Sequence, residues 1–322
     1  MGMKTRLTTL CGIERPIIQG GLAYLARAPL AAAVSEAGGM GQITAATLGT
    51  PQALREEIRA VRRLTAKPFA VNFALGHQPI DALLEVALEE QVPAVSLTGG
   101  NPAPYAHRIK EARALFLVLT AGVRAAQKAE GLGADIIIAV GAEGGGHLGR
   151  DDVGTMVLTR RVVQSVQVPV VASGGIGDGR GLLAAMALGA EGIEMGTRFV
   201  ATQECQAHLS YKQRLVQTPE NQTVVIERSI GRPGRVLSSP YVDKILAQEQ
   251  QVTQPEDLWP WVAGEKNAAA ALNGDWDQGF AWAGQVTGLI TDIPTVRQLL
   301  DRMEREAVDA WDQLNQNMST NR

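Results

Sequence analysis

Between residues 16 and about 200 the chain alternates short apolar runs with longer amphipathic ones, and it does so eight times. The strand-like runs lie at 17–19, 40–43, 69–73, 94–97, 115–119, 135–140, 168–172 and 192–195. They are rich in Val and Ile and do not alternate apolar with polar residues, which is how strands read when a parallel sheet is covered on both faces. Helical stretches are expected between them at 29–37, 51–64, 80–90, 102–112, 123–131, 159–167 and 181–188. Pro29, Pro51, Pro79 and Pro102 stand at or near helix starts, where a missing N–H costs nothing, and Gly38, Gly131 and Gly189 close helices. Eight βα units predict an α/β fold of the (β/α)8 TIM-barrel type; a doubly wound open sheet is the competing topology, disfavoured by its usually smaller strand number.

Bulk properties narrow the field. A chain of 322 residues accommodates one large α/β core with a smaller appended unit. A formal net charge of −3 gives no basic footprint for nucleic acid, and the cluster Arg59, Arg62 and Arg63 reads as a solvated helix face. No run approaches the ~20 apolar residues of a membrane span. The stretch Met1-Gly2-Met3-Lys4-Thr5-Arg6 lacks the apolar core of a signal peptide, and Arg6 stands where myristoylation would need Ser or Thr. The two cysteines, Cys11 and Cys205, fit no metal-type spacing, so a reducing cytoplasm is the expected setting and no metal site is expected.

In a barrel of this kind the loops that follow the strands carry the chemistry. Glycine and small polar residues collect there: Gly20-Gly21 after the first strand, residues 72–77 (from Asn72 to His77) after the third, Thr98-Gly99-Gly100 after the fourth, Gly174-Gly175 after the seventh and Gly196-Thr197 after the eighth. The loop after the sixth is the most pointed, Glu143-Gly144-Gly145-Gly146-His147-Leu148-Gly149. Its glycines let backbone approach a ligand, and its histidine is the side chain suited to proton transfer near neutral pH. The alternative is a glycine-rich turn with an incidental surface histidine.

Ser173-Gly174-Gly175-Ile176 and, about twenty residues on, Gly196-Thr197-Arg198 form two successive strand-to-turn glycine motifs. Loops seven and eight of a barrel commonly make a phosphate site from backbone N–H groups. Thr197 offers a hydroxyl and Arg198 a charge, with a structural role as the other reading of Arg198. The run Gly175-Ile176-Gly177-Asp178-Gly179 is not a dinucleotide fingerprint, because Arg180 occupies the third glycine position. No Gly-x-Ser-x-Gly elbow supports a serine hydrolase. Asp151-Asp152 reads as a solvated loop rather than a cation site.

The stretch 203–275 breaks the βα rhythm. It is polar, with Gln248, Gln250, Gln251 and Gln254 and the motif Trp259-Pro260-Trp261. We expect a barrel domain from 1–205 and 285–322 and a small, mainly helical substrate-capping domain at 206–284. A charged amphipathic helix from Pro294 to about Gln316 is expected to pack back on the barrel.

Pro16-Ile17-Ile18-Gln19-Gly20-Gly21, the loop of His147, Ser173-Gly174-Gly175-Ile176 and Gly196-Thr197-Arg198-Phe199 together resemble one known family. So do Ala207-His208-Leu209-Ser210-Tyr211-Lys212, Asn273-Gly274-Asp275-Trp276-Asp277-Gln278-Gly279 and Ala283-Gly284-Gln285. It is the family of FMN-dependent barrels that contains the nitronate monooxygenases (2-nitropropane dioxygenases) and the flavin-type enoyl-acyl-carrier-protein reductases. The resemblance covers most of the chain in order. It implies a TIM barrel with FMN at its mouth. By motif, Ser173, Gly174, Gly175, Gly196 and Thr197 would hold the phosphate, Gly20 and Gly21 would pass beside the flavin ring, and Asn72 would hydrogen-bond it. Gly145 and Gly146 would approach the ring, with His147 facing the substrate as the catalytic residue.

Within the family the signals divide. Gln19-Gly20-Gly21-Leu22-Ala23 is nearer the reductase pattern, whereas Ile230-Gly231-Arg232-Pro233-Gly234-Arg235 resembles the monooxygenase segment. Gly144 replaces an alanine usual to both, and Leu148 stands where monooxygenases often carry Arg. The first expectation is an oxidoreductase that oxidises alkyl nitronates with O2 to carbonyl compounds and nitrite. The alternative is an NAD(P)H-dependent enoyl-thioester reductase. A barrel that binds FMN or another phosphorylated ligand without turnover is the remaining class. The expected partners are therefore a small-molecule substrate and O2 or NAD(P)H, with no nucleic acid and no membrane, and with a homodimer left open.

Overall fold

The computed structural model describes residues 3–76 and 79–319, so His77 lies outside the described residues. In chain order the strands are β1 Ile17–Gln19, β2 Gly41–Thr44, β3 Phe69–Ala74, β4 Ala94–Thr98, β5 Leu115–Thr120, β6 Ile136–Val140, β7 Gly146–His147, β8 Val170–Ser173, β9 Gly192–Met195, β10 Thr223–Ile226 and β11 Gly234–Leu237. The α-helices are α1 Arg6–Cys11, α2 Ala28–Glu36, α3 Pro51–Leu64, α4 Asp81–Glu89, α5 Ala103–Glu111, α6 Val123–Gly131, α7 Thr155–Val163, α8 Gly179–Ala187, α9 Thr197–Val200, α10 Leu209–Gln217, α11 Pro240–Glu249, α12 Trp259–Val262, α13 Gly264–Asn273 and α14 Val296–Ser319.

Eight strands form one sheet in the order β1-β9-β8-β6-β5-β4-β3-β2. Every neighbouring pair is parallel. The two ends meet through a parallel bridge between Ile18 and Met40, with the N–H of Gln19 donating to the Met40 carbonyl at 2.9 Å and that of Met40 to the Ile17 carbonyl at 2.9 Å. This closure makes the sheet a TIM barrel and removes the open doubly wound alternative.

The eight predicted strands all form, with ends shifted by a residue or two. The seventh starts at Val170 rather than 168, since Pro169 has no N–H to give to a ladder. The helix expected at 159–167 forms instead as α7, four residues earlier. Its first turn exposes Met156 and Val157, while Leu158, Thr159 and Val162 are buried, so its apolar face begins later than its backbone.

Side chains alternate between the lumen and the helical layer. Ile18, Met40, Ala70, Ala94, Leu117, Ile136, Ile138 and Val171 form the lumenal cluster, closed from below by Leu7 and Cys11 of α1. The residues between them, such as Val71, Val95 and Ile137, pack outward against α3 to α7. Ile17, Ile193 and Met195 do the same against α2, α8 and α14. The closing amphipathic helix is α14, which buries Val296, Leu299, Leu300, Met303 and Ala307. The rejected dinucleotide-like run has a packing explanation: a Cβ on Gly179 would lie 2.2 Å from the Met303 carbonyl oxygen, so this glycine lets α8 and α14 touch. Arg59 and Arg62 lie on the surface and pair with Glu90 at 2.8 and 3.2 Å.

Between α9 and α14 the chain forms α10 to α13; α11 and α12 surround a separate cluster, Ile226, Val236, Tyr241, Val242, Ile245, Leu258 and Phe280, while α10 and α13 bury Tyr211, Leu215, Ala270 and Ala271 in the cluster shared with α2, α8 and α14. The segment also carries strands. The β10–β11 hairpin takes β7, from the loop after β6, as a third antiparallel strand. The β-branched run Thr223-Val224-Val225-Ile226 was the available signal for it.

Candidate active site

On five of the eight strands the lumenal row turns polar at the mouth, while β5 and β6 stay aliphatic with Leu119 and Val140. Met40 is followed by Gln42, Ala70 by Asn72, Ala94 by Ser96, Val171 by Ser173 and Gly192 by Glu194. All of these polar side chains are buried. Asn72 donates from Nδ2 to Ser96 Oγ at 2.9 Å and to Thr98 Oγ1 at 2.8 Å, and Ser96 donates to Gln42 Oε1 at 2.5 Å. The backbone N–H of Gln42 donates to Gln19 Oε1 at 3.0 Å. The layer is not saturated: Gln42 Nε2 and Glu194 Oε2 are buried without a hydrogen-bond partner. Burial of Glu194 pushes its carboxyl up to about 8, so at neutral pH it is a neutral acid and a donor. Two orphaned buried polar groups in one layer at the mouth are what a bound polar ligand would satisfy.

The predicted site residues all fall at this end of the barrel. Gly20 and Gly21 follow β1, and the space a Cβ would take is filled by Glu194 Oε1, at 2.6 Å, and Asn72 Oδ1, at 2.3 Å. Gly174 and Gly175 follow β8 with φ of +99° and +75°, the left-handed region that glycine adopts without strain. They back onto the loop after β6: a Cβ on Gly174 would lie 2.9 Å from the Gly141 carbonyl oxygen, and one on Gly175 would lie 2.9 Å from Glu143 Cβ. Gly145 is exposed but backed on one side, since a Cβ there would meet Ala283 and Gly284 backbone at 2.6 Å. Gly146 differs, because nothing lies within 4 Å of where its Cβ would be. The glycines thus let loops converge on one another, and at Gly146 the backbone opens to free space.

Gly196 and Thr197 begin α9 beside Ser173 and its glycines, as β8 and β9 are neighbours. Thr197 Oγ1 accepts the Gly284 N–H at 3.0 Å, which leaves its O–H to donate elsewhere. Arg198 is structural: it is buried and donates to the carbonyls of Ala201 and Asp292, both at 2.7 Å, and pairs with the Asp292 carboxylate at 3.3 Å. Asp152 is paired with Arg228 at 2.9 Å. Among the described residues no three side chains converge as metal ligands.

His147 is exposed, yet its loop is held from several sides. It pairs with Gly234 across β7 and β11, and the N–H of Leu148 donates to the Pro233 carbonyl at 2.8 Å. Half-buried Arg235 donates from Nε and Nη2 to the Ala142 carbonyl, at 3.2 and 3.0 Å. The Gln285 N–H donates to the Glu143 carbonyl at 2.9 Å, and the Glu143 carboxylate takes the Thr155 N–H at 2.6 Å. The imidazole lies against Trp282, ring centres 5.0 Å apart, and Tyr211 donates its hydroxyl to the Trp282 carbonyl. The motif at 207–212 therefore supports the site from behind, with His208 capping α10 and the Lys212 ammonium on the Thr202 carbonyl at 2.7 Å.

Sequence reasoning missed Glu194, Gln42 and Trp282. An acidic residue inside the apolar strand Gly192-Ile193-Glu194-Met195 was a usable signal for the first. Trp282 is distant from His147 in sequence, and only the fold brings the two rings together.

Comparison with known proteins agrees with this geometry. The family model "Nitronate monooxygenase" matches residues 4–82 and 74–306. FabK from Thermotoga maritima has a similar structure, with 41% identity and a TM-score of 0.92 over 98% of this chain and 99% of that one. A nitronate monooxygenase of Paraburkholderia phytofirmans is 32% identical, covering 97% of this chain and 98% of its own. The (3aS,4S,5R,7aS)-5-hydroxy-7a-methyl-1-oxo-octahydro-1H-indene-4-carboxyl-CoA dehydrogenase of Mycobacterium tuberculosis is also 32% identical, covering 96% and 97%. With its closed barrel, its polar mouth and a family match along almost its whole length, the chain belongs to the nitronate monooxygenase family of oxidoreductases.

Proposed function

We propose that the barrel mouth holds FMN and that the protein oxidises alkyl nitronates with O2 to carbonyl compounds and nitrite. The observation that carries the reading is the convergence of a half-satisfied polar layer, three glycine turns and a histidine on one end of the barrel. Buried Gln42 Nε2 and Glu194 Oε2 fit a flat heteroaromatic ring with hydrogen-bonding edges, and the turns at Gly174-Gly175 and Gly196-Thr197 fit its phosphate. When bound, FMN supplies the electron-accepting chemistry, and the protein supplies placement and exclusion of water.

In this reading Ser173, Gly174, Gly175, Gly196 and Thr197 hold the phosphate, with the Thr197 O–H as a side-chain donor. Gly20, Gly21, Gly145 and Gly146 line the ring. Asn72 gives its amide protons to Ser96 and Thr98, so its Oδ1 serves the ring as an acceptor. His147, braced by Trp282, hydrogen-bonds the nitronate oxygens or takes the α-proton of a neutral nitroalkane. Residues 206–284 act as a capping unit that shapes the substrate pocket.

A second reading, an NAD(P)H-dependent enoyl-thioester reductase, is favoured by Gly20-Gly21 in the reductase pattern and by a relative named for a carboxyl-CoA substrate. One experiment separates the two. Purified protein should carry flavin absorbance that is lost on anaerobic addition of an alkyl nitronate and returns with O2. Loss with NADH or NADPH instead, with turnover of crotonyl thioesters, selects the reductase. Protein that is colourless and takes up no FMN overturns both.

A further inference from the structure

Among the described residues of the lumen's polar layer Glu194 is the carboxyl, and the reading above uses only the fit of its oxygen to the ring edge, not its proton. It lies on β9 in register with Ile18 of β1 and Ser173 of β8, and its Oε1 packs against Gly20. Its Oε2 is buried and has no hydrogen-bond partner. The neighbours brought to it by the flanking strands, Ile18, Gly20 and Ser173, carry no titratable group. Across the lumen Gln42, Asn72 and Ser96 are polar but uncharged. The nearest cation along the chain, Arg198, is committed to Asp292. A buried carboxyl with an unused oxygen and no counter-charge needs a partner that this chain does not provide.

We propose that Glu194 hydrogen-bonds the flavin ring directly and couples its reduction to pH. The inference rests on the FMN reading above. Burial alone pushes this carboxyl up to about 8. Below that pH the neutral acid donates to the ring and favours the electron density that reduction adds. Above it, a carboxylate beside the ring opposes that density. Reduction and proton binding at Glu194 therefore favour one another, reciprocally.

The test is the flavin midpoint potential of the holoenzyme, measured by dye equilibration from pH 6 to 9, for the natural protein and for Glu194→Gln. Glutamine keeps the size and a donor but cannot ionise. The natural protein should show an added downward bend near pH 8 that the variant lacks. Two curves of identical shape, with FMN bound normally in both, would overturn the role of Glu194 alone. Failure of the natural protein to bind FMN would overturn the cofactor reading with it. In Glu194→Leu, FMN should bind on the order of tenfold more weakly, the size of one buried hydrogen bond; unchanged affinity contradicts direct contact. If neither variant folds, the flavin absorbance of the natural protein titrated over the same range decides the matter, since a spectrum with no transition excludes a titrating neighbour.

Discussion

The lower and upper halves of the barrel lumen are built from the same strands and obey opposite rules. In the lower half, Ile18, Met40, Leu117, Ile138 and Val171 fill the space with aliphatic side chains, and α1 seals the end with Leu7 and Cys11. Two residues further along the strands the lumen holds Gln42, Asn72, Ser96, Ser173 and Glu194, and two of these leave buried polar atoms unpaired. The lower half is packed to be stable. The upper half gives up some stability for groups that a ligand can complete. On those five strands the change takes one pleat, because side chains alternate along a strand, whereas β5 and β6 continue aliphatic through Leu119 and Val140.

Substitutions on the two sides should therefore fail in different ways. The largest effect is expected from Gly175→Val: its φ of +75° is strained for a branched side chain, and the new Cβ would meet Glu143. The variant should purify without flavin, and a fully yellow protein would break the assignment of this turn to the phosphate. His147→Ala should keep FMN but lose ~10²-fold or more in turnover, the scale of a general acid or base; steady-state rates equal to the natural enzyme would remove His147 from the chemistry. Leu117→Ala, in the lower half, should cost ~2–5 kcal/mol in denaturant unfolding while leaving turnover per folded molecule unchanged. A large change in flavin spectrum there would mean the halves are not separable.

The smallest effect is expected outside the lumen. Glu227 is buried, and desolvation pushes its carboxyl up to about 7. A raised acid pKa means that the folded state holds the proton longer than the unfolded chain. Its contribution is therefore greatest below 4.5, falls as pH rises towards about 7, and levels off above. Glu227→Gln should flatten the fall in thermal stability across that window. A variant as pH-dependent as the natural protein would assign the fall to other groups, Glu194 first among them.

The barrel was legible because parallel strands covered on both faces write continuous Val- and Ile-rich runs, and eight of them fit few architectures. The glycine turns were legible too, and the structure adds a packing reason for them. Gly145, Gly174 and Gly175 give up their side chains chiefly so that loops can touch, and Gly146 is the one that opens to space. The hairpin at β10 and β11 was not legible against its polar surroundings. Its stability comes from pairing with β7, more than seventy residues away, and from its packing with Phe280 and Tyr241.

The sequence by itself determined the strand count, the parallel wiring and the end of the barrel at which the glycines and His147 gather, since these follow from local periodicity and from which side chains a turn tolerates. Only the tertiary structure decided that Arg198 serves the scaffold, that Trp282 braces His147 and that Glu194 is left buried without a partner. Those three facts depend on distances between residues far apart in the chain. No local pattern encodes them, because burial and hydrogen-bond supply exist only once the barrel has closed.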